Sequence, residues 1–429
     1  MVMASDKPGL HLEPKLQATN AASARRVRER QHTLFEYAHA LTERARQLDP
    51  AGPATALLGI VIALSAIGMV IQASHAATTL TAAQFSAELA SQAWFRFAGL
   101  ATLLLAARLA PSGLRPFLPA LWVAMLVLLA LVYVPPFGKA INGSHRWLSL
   151  GGLRFQPSEL ARLFVVMFVA DRCVRLGDLV HDIRRGVAPT LLFGMLPVLL
   201  VLGETDLGGA SLMLIAVFAT MWVGGARPQH VFTPLLVVGP AIALVAYFSL
   251  DYIRRRVEMF LGLTHNQQVA DSFAAIAGGD FWGVGLGQGI ARNQGVPYLE
   301  SDFVFAQIGE EFGLAGMLLV LLLWAAFLWN GLRLVLAIKD RFDALATFGL
   351  LFSTLLQATL HICVVAGIAP PKGMTLPFIS HGGTSLIASS LAIGLAIGAA
   401  RRTSRAHAQL APARLEPSST SPVQNPLAS

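Results

Sequence analysis

Charged residues are scarce in this chain. They make up 13% of its 429 residues, whereas hydrophobic residues make up 55%. A soluble globular protein usually carries about 25% charged residues, so this composition argues against a water-soluble fold and indicates a protein of the lipid bilayer. The net charge of +8 is spread between apolar runs rather than gathered in one basic domain, so we predict no nucleic-acid partner.

Cysteine is scarce as well. Cys173 and Cys363 are the only two, and they lie far apart without a zinc-like spacing, so the sequence supports neither a disulfide framework nor a cysteine metal site. The chain also lacks a short apolar leader with a small-residue cleavage site. We therefore expect no removable signal peptide, and we expect the first membrane span to direct insertion.

Long apolar runs are abundant. About 20 helical residues cross a hydrocarbon core of about 30 Å, and lipid leaves the backbone few partners other than those within a helix. The sequence therefore predicts an all-α, polytopic integral membrane protein with about ten transmembrane helices that contacts membrane lipids. The runs fall at 54–74, 93–110, 116–134, 157–171, 187–203, 207–224, 230–249, 313–335, 344–367 and 382–400.

The basic residues predict the orientation of these spans. With the N-terminus inside, 22 of the 32 Lys and Arg residues fall on cytoplasmic segments, as the positive-inside rule requires. We accordingly predict a cytoplasmic N-terminal tail at 1–53, a membrane domain at 54–402, and a disordered cytoplasmic tail at 403–429 that is rich in Ser, Pro and Ala.

Three outward segments are candidates for a functional site, at 135–157, 250–312 and 368–381. Long loops in compact proteins usually carry function. The second segment holds Arg254, Arg255 and Arg256, which oppose the positive-inside trend, and the stretch GGDFWGVGLGQG. Its glycines do not form a dinucleotide motif, because no strand and crossover helix surround them. They permit tight turns or close approach to a ligand.

The segment QPSELARLF places Glu159 and Arg162 on one helical face at the outer end of a span. Ionisable groups at membrane depth cost about 2.5–3.5 kcal/mol each, so the pair forms either a structural ion pair or part of a site. Arg146 and Trp147 precede it in NGSHRWLSLGG. An arginine fork suits a diphosphate, and a Trp suits a sugar face or the headgroup boundary.

Acidic residues gather in VPYLESDFVFAQIGEEFG. Asp302 is flanked by Phe303 and Phe305. Apolar neighbours disfavour an ionised carboxylate, which brings its pKa towards that of a useful base. Glu300 is a supporting candidate. Glu310 and Glu311 stand at the start of a span, where the helix dipole alone can account for them.

The third segment, PPKGMTLPFISHGGTS, offers Lys372 as a phosphate contact or as a snorkelling interfacial lysine. Ser380 and His381 are supporting candidates. Glu204 and Asp206 in the turn GETDLGG complete the polar set, and a structural role in the turn is the favoured interpretation for both.

At these residues the sequence resembles the SEDS family (shape, elongation, division and sporulation), which comprises FtsW, RodA and SpoVE. The resemblance runs from about 54 to 402 and rests on four ordered blocks. These are NGSHRWLSLG with QPSELARL, ETDLGGA, GVGLGQG with SDFVFAQIGEEFGLAG, and KGMTLPFISHGGTSL. The lysine of KGMT resembles the division and sporulation branch, since the elongation branch usually lacks it, and the long N-terminal tail agrees. The sequence is most similar to the FtsW type.

The resemblance implies a peptidoglycan glycosyltransferase of the bacterial cytoplasmic membrane. Such an enzyme polymerises lipid II, an undecaprenyl-diphosphate-linked disaccharide-peptide, at the outer face, with a class B penicillin-binding protein and other divisome proteins as partners. It also implies that Asp302 is the essential acidic residue, and that Arg146, Trp147, Glu159 and Arg162 match functionally sensitive positions. The sequence does not require a metal, although carboxylates near the diphosphate could hold Mg²⁺ or Mn²⁺.

The sequence departs from the family pattern in several places. Glu300 and Ser301 replace the usual His-Thr, His381 replaces Tyr, Arg162 stands where Lys is common, and the acidic turn reads ETD. Three alternatives therefore stay open: a lipid II flippase, a catalytically silent divisome scaffold and an elongation-type polymerase. Polar groups clustered at outer helix ends, rather than at mid-membrane, favour the polymerase over a flippase.

Overall fold

A computed structural model of the chain describes residues 49–135, 137–141, 144–150, 153–263, 267–290 and 299–410. The chain divides into two units, Met1–Asp49 and Pro50–Ser429, and every element below belongs to the second unit. The predicted tail at 1–53 therefore lies outside the described residues up to position 48, as do residues 411–429 of the predicted C-terminal tail.

Helices form most of the described structure. In chain order they are α1 (Ala51–Thr79), α2 (Ala82–Ala106), α3 (Pro111–Leu114), α4 (Leu118–Leu131), α5 (Pro157–Leu176), α6 (Ala188–Gly203), α7 (Leu207–Val223), α8 (Pro228–Ser249), α9 (Asp251–Phe260), α10 (Gln267–Gly278), α11 (Val304–Ala337), α12 (Arg341–Val365) and α13 (Gly383–Leu410). Single 3₁₀ or π turns at Arg115–Phe117, Gly177–His181 and Ile183–Val187 extend some of them.

Each of the ten predicted apolar runs coincides with a helix, and the predicted helical membrane architecture is confirmed. By length and composition, seven helices within the described ranges are able to cross a membrane, and α7 is a shorter apolar helix. Helix α5 carries five charged side chains, Glu159, Arg162, Asp171, Arg172 and Arg175, which a hydropathy criterion penalises. The count of ten spans is not confirmed and stays a prediction.

A small antiparallel sheet interrupts the helices between α4 and α5. Strands β1 (Gly138–Ile141), β2 (Ser144–Leu150) and β3 (Leu153–Phe155) pair in the order β1-β2-β3. The sequence analysis predicted only an outward segment here. The sheet places the side chains of β2 above the turn that joins α6 to α7.

The outward segment predicted at 250–312 is largely helical. It contains α9, α10 and the first two turns of α11, which bends at Gly313 (φ 66°). At this bend the glycine-rich loop folds back on α11, where the Val284 and Gly285 amides donate to the Glu310 and Glu311 carbonyl oxygens at 2.9 and 3.1 Å. A side chain at Gly283 (φ 82°) would strike that backbone.

The C-terminal helix lies close against α2. A Cβ at Gly394 would stand 2.5 Å from the Leu103 carbonyl oxygen, so glycine is required for this approach. Helix α13 continues through Leu410, so residues 403–410 form its last turns. The predicted start of the C-terminal tail at 403 therefore falls within this helix, and the tail stays a prediction.

Candidate active site

Asp302 lies at the outward end of α11, two residues before the helix begins. Its carboxylate faces the segment between α12 and α13, where a Cβ at Gly373 would stand 3.1 Å from the Asp302 Oδ2 atom. The KGMT segment, which begins at Lys372, and the DFVFA segment, which begins at Asp302, therefore meet at this carboxylate although they lie 70 residues apart in sequence. Gly373 allows the two backbones to approach.

The backbone before Asp302 is fixed by Ser380 and His381. The Ser380 hydroxyl donates to the Ser301 carbonyl oxygen at 2.7 Å and accepts from the Leu376 amide at 2.8 Å. The His381 amide donates to the Glu300 carbonyl oxygen at 3.1 Å. Through these hydrogen bonds, the two predicted supporting residues join the segment after α12 to the residues just before Asp302.

Arg146 on β2 contacts the turn between α6 and α7. Its guanidinium donates to the Thr205 carbonyl oxygen at 2.6 Å and lies 3.6 Å from Asp206 Oδ1. Thr205 has a positive φ of 60°, a conformation that costs a non-glycine residue about 1–3 kcal/mol. The Ser144 hydroxyl stabilises the same turn by donating to the Glu204 carbonyl oxygen at 2.7 Å.

Asp206 links this turn to helix α7. It is buried, and it caps α7 by accepting from the Gly209 amide at 2.9 Å. Its charge also acts on Asp302, Arg256 and Lys372. The favoured sequence interpretation gave it only a structural role, and the structure places it among the charged groups of the site as well.

Lys372 and Arg256 add positive charge. The Lys372 ammonium donates to the Ser211 hydroxyl at 2.9 Å. Burial and the neighbouring Arg256 lower the pKa of Lys372, and burial and Arg146 lower the pKa of Arg256. Three cationic side chains, from β2, α9 and the segment after α12, therefore share one region. Their mutual repulsion favours the arrival of an anion.

The carboxylate of Asp302 is tuned by this environment. Burial raises the pKa of Asp302 to about 6, a hydrogen bond from Ser301 lowers it, Glu300 and Asp206 raise it, and Arg146 lowers it. A carboxylate with this pKa is ionised at neutral pH and accepts a proton more readily than an exposed aspartate does. These properties suit a general base.

Glu204 is a second perturbed acid in the same turn. Burial and Asp206 raise the pKa of Glu204 to about 9, and Arg146 acts in the opposite direction. Its side chain is 1% exposed. Because its pKa is about 9, Glu204 is protonated at neutral pH. Glu204 therefore adds no negative charge to the region where we expect an anionic ligand.

Glu159 and Arg162, two predicted substrate contacts, pair with each other in helix α5. Arg162 is buried in α5, 3.2 Å from Glu159, and donates to Gln357 and to Ser389. Gln357 in turn donates to the Thr375 carbonyl oxygen at 3.1 Å. The structure shows the buried ion pair that the sequence left open as an alternative, and the pair supports the segment that carries Lys372.

Trp147 lies beside Arg146 on β2 and is partly buried. Since successive side chains of a strand point to opposite faces, Trp147 faces away from the turn that Arg146 contacts. The structure therefore does not group it with Asp302.

Glu310 and Glu311 hold the glycine-rich loop. The Ile290 amide donates to the Glu310 carboxylate, and the Ser74 hydroxyl donates to the Glu311 carboxylate at 2.6 Å. Their role is structural, though through side-chain contacts rather than through the helix dipole alone. The preceding stretch 291–298, with the start of the VPYLES block, lies outside the described residues.

The carboxylates of this region were also predicted as possible ligands of a divalent cation. Within the described ranges, no group of three or more His, Cys, Asp or Glu side chains is arranged to hold a metal ion. These residues alone do not make a site for a resident Mg²⁺ or Mn²⁺. A role for Mg²⁺ or Mn²⁺ stays a possibility that the sequence leaves open.

Comparison with known proteins decides the family. The family model described as cell cycle protein, covering FtsW, RodA and SpoVE, matches residues 54–405. The chain belongs to this family. The predicted SEDS membership is confirmed, over nearly the same boundaries as the sequence resemblance.

Named SEDS relatives span most of the chain. A probable peptidoglycan glycosyltransferase FtsW of Nitrosococcus halophilus is 34% identical over 79% of this chain and 90% of its own length. Stage V sporulation protein E of Bacillus subtilis is 32% identical over 67% of this chain and 80% of its own.

Solved SEDS structures share the fold. A chain from a peptidoglycan synthase complex, solved to show how polymerization and crosslinking are coordinated, is 30% identical, with a TM-score of 0.68 over 81% of this chain and 97% of that one. The rod shape determining protein RodA of Thermus thermophilus is 28% identical, with a TM-score of 0.59 over 81% and 96%.

The departures from the SEDS pattern beside Asp302 have a structural explanation. Glu300 and Ser301 hold the site through their backbone carbonyl oxygens, which accept from Gln72, His381 and Ser380. A change of side chain at these two positions leaves those hydrogen bonds in place. The substitutions therefore keep the position of Asp302 and alter mainly its electrostatic surroundings.

Proposed function

We propose that this chain is a peptidoglycan glycosyltransferase that polymerises lipid II into β-1,4 glycan strands during cell division. The observation that carries the proposal is the meeting of Asp302, with its pKa raised to about 6, and the cationic side chains of Arg146, Arg256 and Lys372. One group accepts a proton, and the others receive a diphosphate. The named relatives support the same class of reaction.

The substrate places its diphosphate among the three cations. Lys372 offers a point charge, whereas Arg146 and Arg256 offer planar forks suited to phosphate oxygens. The protonated Glu204 does not oppose this binding. The undecaprenyl tail lies along the lipid-facing helices, and the sugars reach the outward segments.

Asp302 then accepts the proton of the acceptor 4-hydroxyl. The hydroxyl oxygen forms a bond to the anomeric carbon, and the bond from that carbon to the diphosphate oxygen breaks, with its electron pair leaving on the diphosphate. Attack opposite an α-linked leaving group gives the β-1,4 link. Positive charge at Arg146, Arg256 and Lys372 stabilises the leaving diphosphate as its charge grows.

The seven apolar helices and the family make this a multi-pass membrane protein. We place it in the bacterial cytoplasmic membrane with the site on the extracytoplasmic face, as the distribution of basic residues predicts. A class B penicillin-binding protein is the proposed partner. The similarity to a chain of a peptidoglycan synthase complex supports that pairing.

Purified protein, its candidate transpeptidase and fluorescent lipid II provide the test. We expect muramidase-sensitive glycan strands on a gel, and addition of EDTA shows whether a divalent cation takes part. Translocation of lipid II across vesicles without polymer would instead identify a flippase. Absence of both activities, in a protein that still binds the transpeptidase, would identify a silent scaffold.

A further inference from the structure

A polar cavity lies at the end of the membrane domain opposite Asp302. It has a volume of about 680 Å³ and is formed by the end of α2, the turn after it and the last turns of α13. Its lining consists of small residues and arginines. These are Ala107, Arg108, Ala110, Gly398, Arg401, Arg402, Arg405, Ala406 and Gln409.

The cavity is remote from Asp302. Helix α13 begins at Gly383, next to His381 of the site, and reaches Arg401 after 18 residues, or about 27 Å at 1.5 Å per residue. This distance is close to the thickness of the hydrocarbon core. The cavity therefore lies at the opposite boundary of the membrane, the cytoplasmic one in the proposed orientation.

Close helix packing builds the floor of this cavity. A Cβ at Gly398 would clash with the Leu109 carbonyl oxygen, so glycine is required for α13 to approach the chain after α2 at this point. Ala107 and Ala110 are buried beside it. The small side chains leave a recess that the arginine stems surround.

The arginines give the recess an excess of positive charge. Arg402 lies 3.5 Å from Asp343, and Arg401 donates to the Ala107 carbonyl oxygen at 3.4 Å. Arg108 and Arg405 are exposed on the same rim. Among the described residues, Asp343 therefore pairs with only one of the four arginines, and the excess of positive charge suits a phosphate group.

An apolar surface lies next to the cavity. Leu104, Leu105 and Leu109 are 46%, 61% and 49% exposed, at the end of α2 that leads into the recess. A ligand with its anionic group among the arginines would lay hydrocarbon against these leucines.

We propose that this cavity binds the headgroup of an anionic phospholipid of the cytoplasmic leaflet. Basic pockets between membrane helices recognise such headgroups by charge and by depth in the bilayer. The bound lipid bridges two helices that lead back to His381. Glu88 and Gln92 of α2 contact its ring, and α13 begins two residues after it. The ligand class is a glycerophospholipid with a net negative headgroup.

The test compares two triple variants of the full-length protein in detergent. The cavity variant carries Arg108→Gln, Arg401→Gln and Arg405→Gln, and it keeps Arg402 with its partner Asp343. The control variant carries Arg184→Gln, Arg185→Gln and Lys339→Gln, three exposed basic residues elsewhere whose loss removes the same charge. Native mass spectrometry follows phosphatidylglycerol binding, with phosphatidylcholine as the neutral lipid.

We expect the cavity variant to bind phosphatidylglycerol about 100-fold more weakly and the control variant to bind within about threefold of the parent. Ala406→Phe, which fills the recess without removing charge, should also weaken binding and serves if the triple variant does not fold. Equal losses in both triple variants would overturn the site. Displacement of the lipid by equimolar glycerol phosphate would overturn the lipid assignment.

Discussion

Asp302 should set an acid limb in the pH dependence of polymerisation. A general base acts only when it is deprotonated, and the pKa of Asp302 is raised to about 6, chiefly by burial. About nine-tenths of the carboxylate is then ionised at pH 7 and about one-tenth at pH 5. We expect kcat/KM to fall about tenfold between these values.

Neighbouring residues should move this limb in opposite directions. The Ser301 hydrogen bond lowers the pKa of Asp302, and the Glu300 charge raises it. Ser301→Ala should therefore shift the limb to higher pH, and Glu300→Gln should shift it to lower pH. Both changes leave the backbone carbonyl contacts of the segment intact.

Acid unfolding through this group does not explain the same loss. Because its folded-state pKa is raised, Asp302 contributes stability when protonated, and that contribution is lost as pH rises towards about 6. Initial rates at low lipid II between pH 5 and pH 8, with thermal stability measured alongside, provide the assay. A flat parental profile, or a shift of both variants in one direction, would refute the reasoning.

Three further results are expected. Gly373→Ala should reduce polymerisation more than abundance, because its Cβ would stand 3.1 Å from Asp302 Oδ2; unchanged activity would contradict the close contact. Arg162→Lys should lower thermal stability by roughly 1–3 kcal/mol, because a lysine cannot reproduce contacts made by two guanidinium nitrogens; an unchanged midpoint would argue against it. Single cysteines at Ala274 and Ala408 should respectively react and not react with an impermeant thiol reagent in spheroplasts; the reverse result would invert the topology.

The helices could be predicted from the sequence because lipid allows the backbone few alternatives. The strand-rich segment before α5 could not be predicted in this way. Strands β1 and β3 have four and three residues, and their pairing depends on tertiary contacts rather than on a long period. The amphipathic helix α9 was not predicted either, because its many charged residues are equally typical of a loop.

The site was only partly predictable. Asp302, Arg146 and Lys372 stood out because each is a charged residue in an outward, turn-rich segment. Arg256 was noticed only as an exception to the charge rule, and that exception was the available signal for its role. The role of Arg162 depends on Gln357, which lies 195 residues further along the chain, and no local pattern reveals such a partner.

The most direct test of the account replaces Asp302 with asparagine, which keeps its size and removes the proton acceptor. Asp280→Asn is the matched control, since Asp280 is exposed in the same outward segment and its φ of 49° is one that asparagine tolerates. At pH 7.5 we predict that Asp302→Asn loses about 10²–10⁴-fold of lipid II polymerisation, with normal thermal stability and transpeptidase binding. The control should keep parental activity. A stable Asp302→Asn protein that polymerises lipid II at the parental rate would contradict the account.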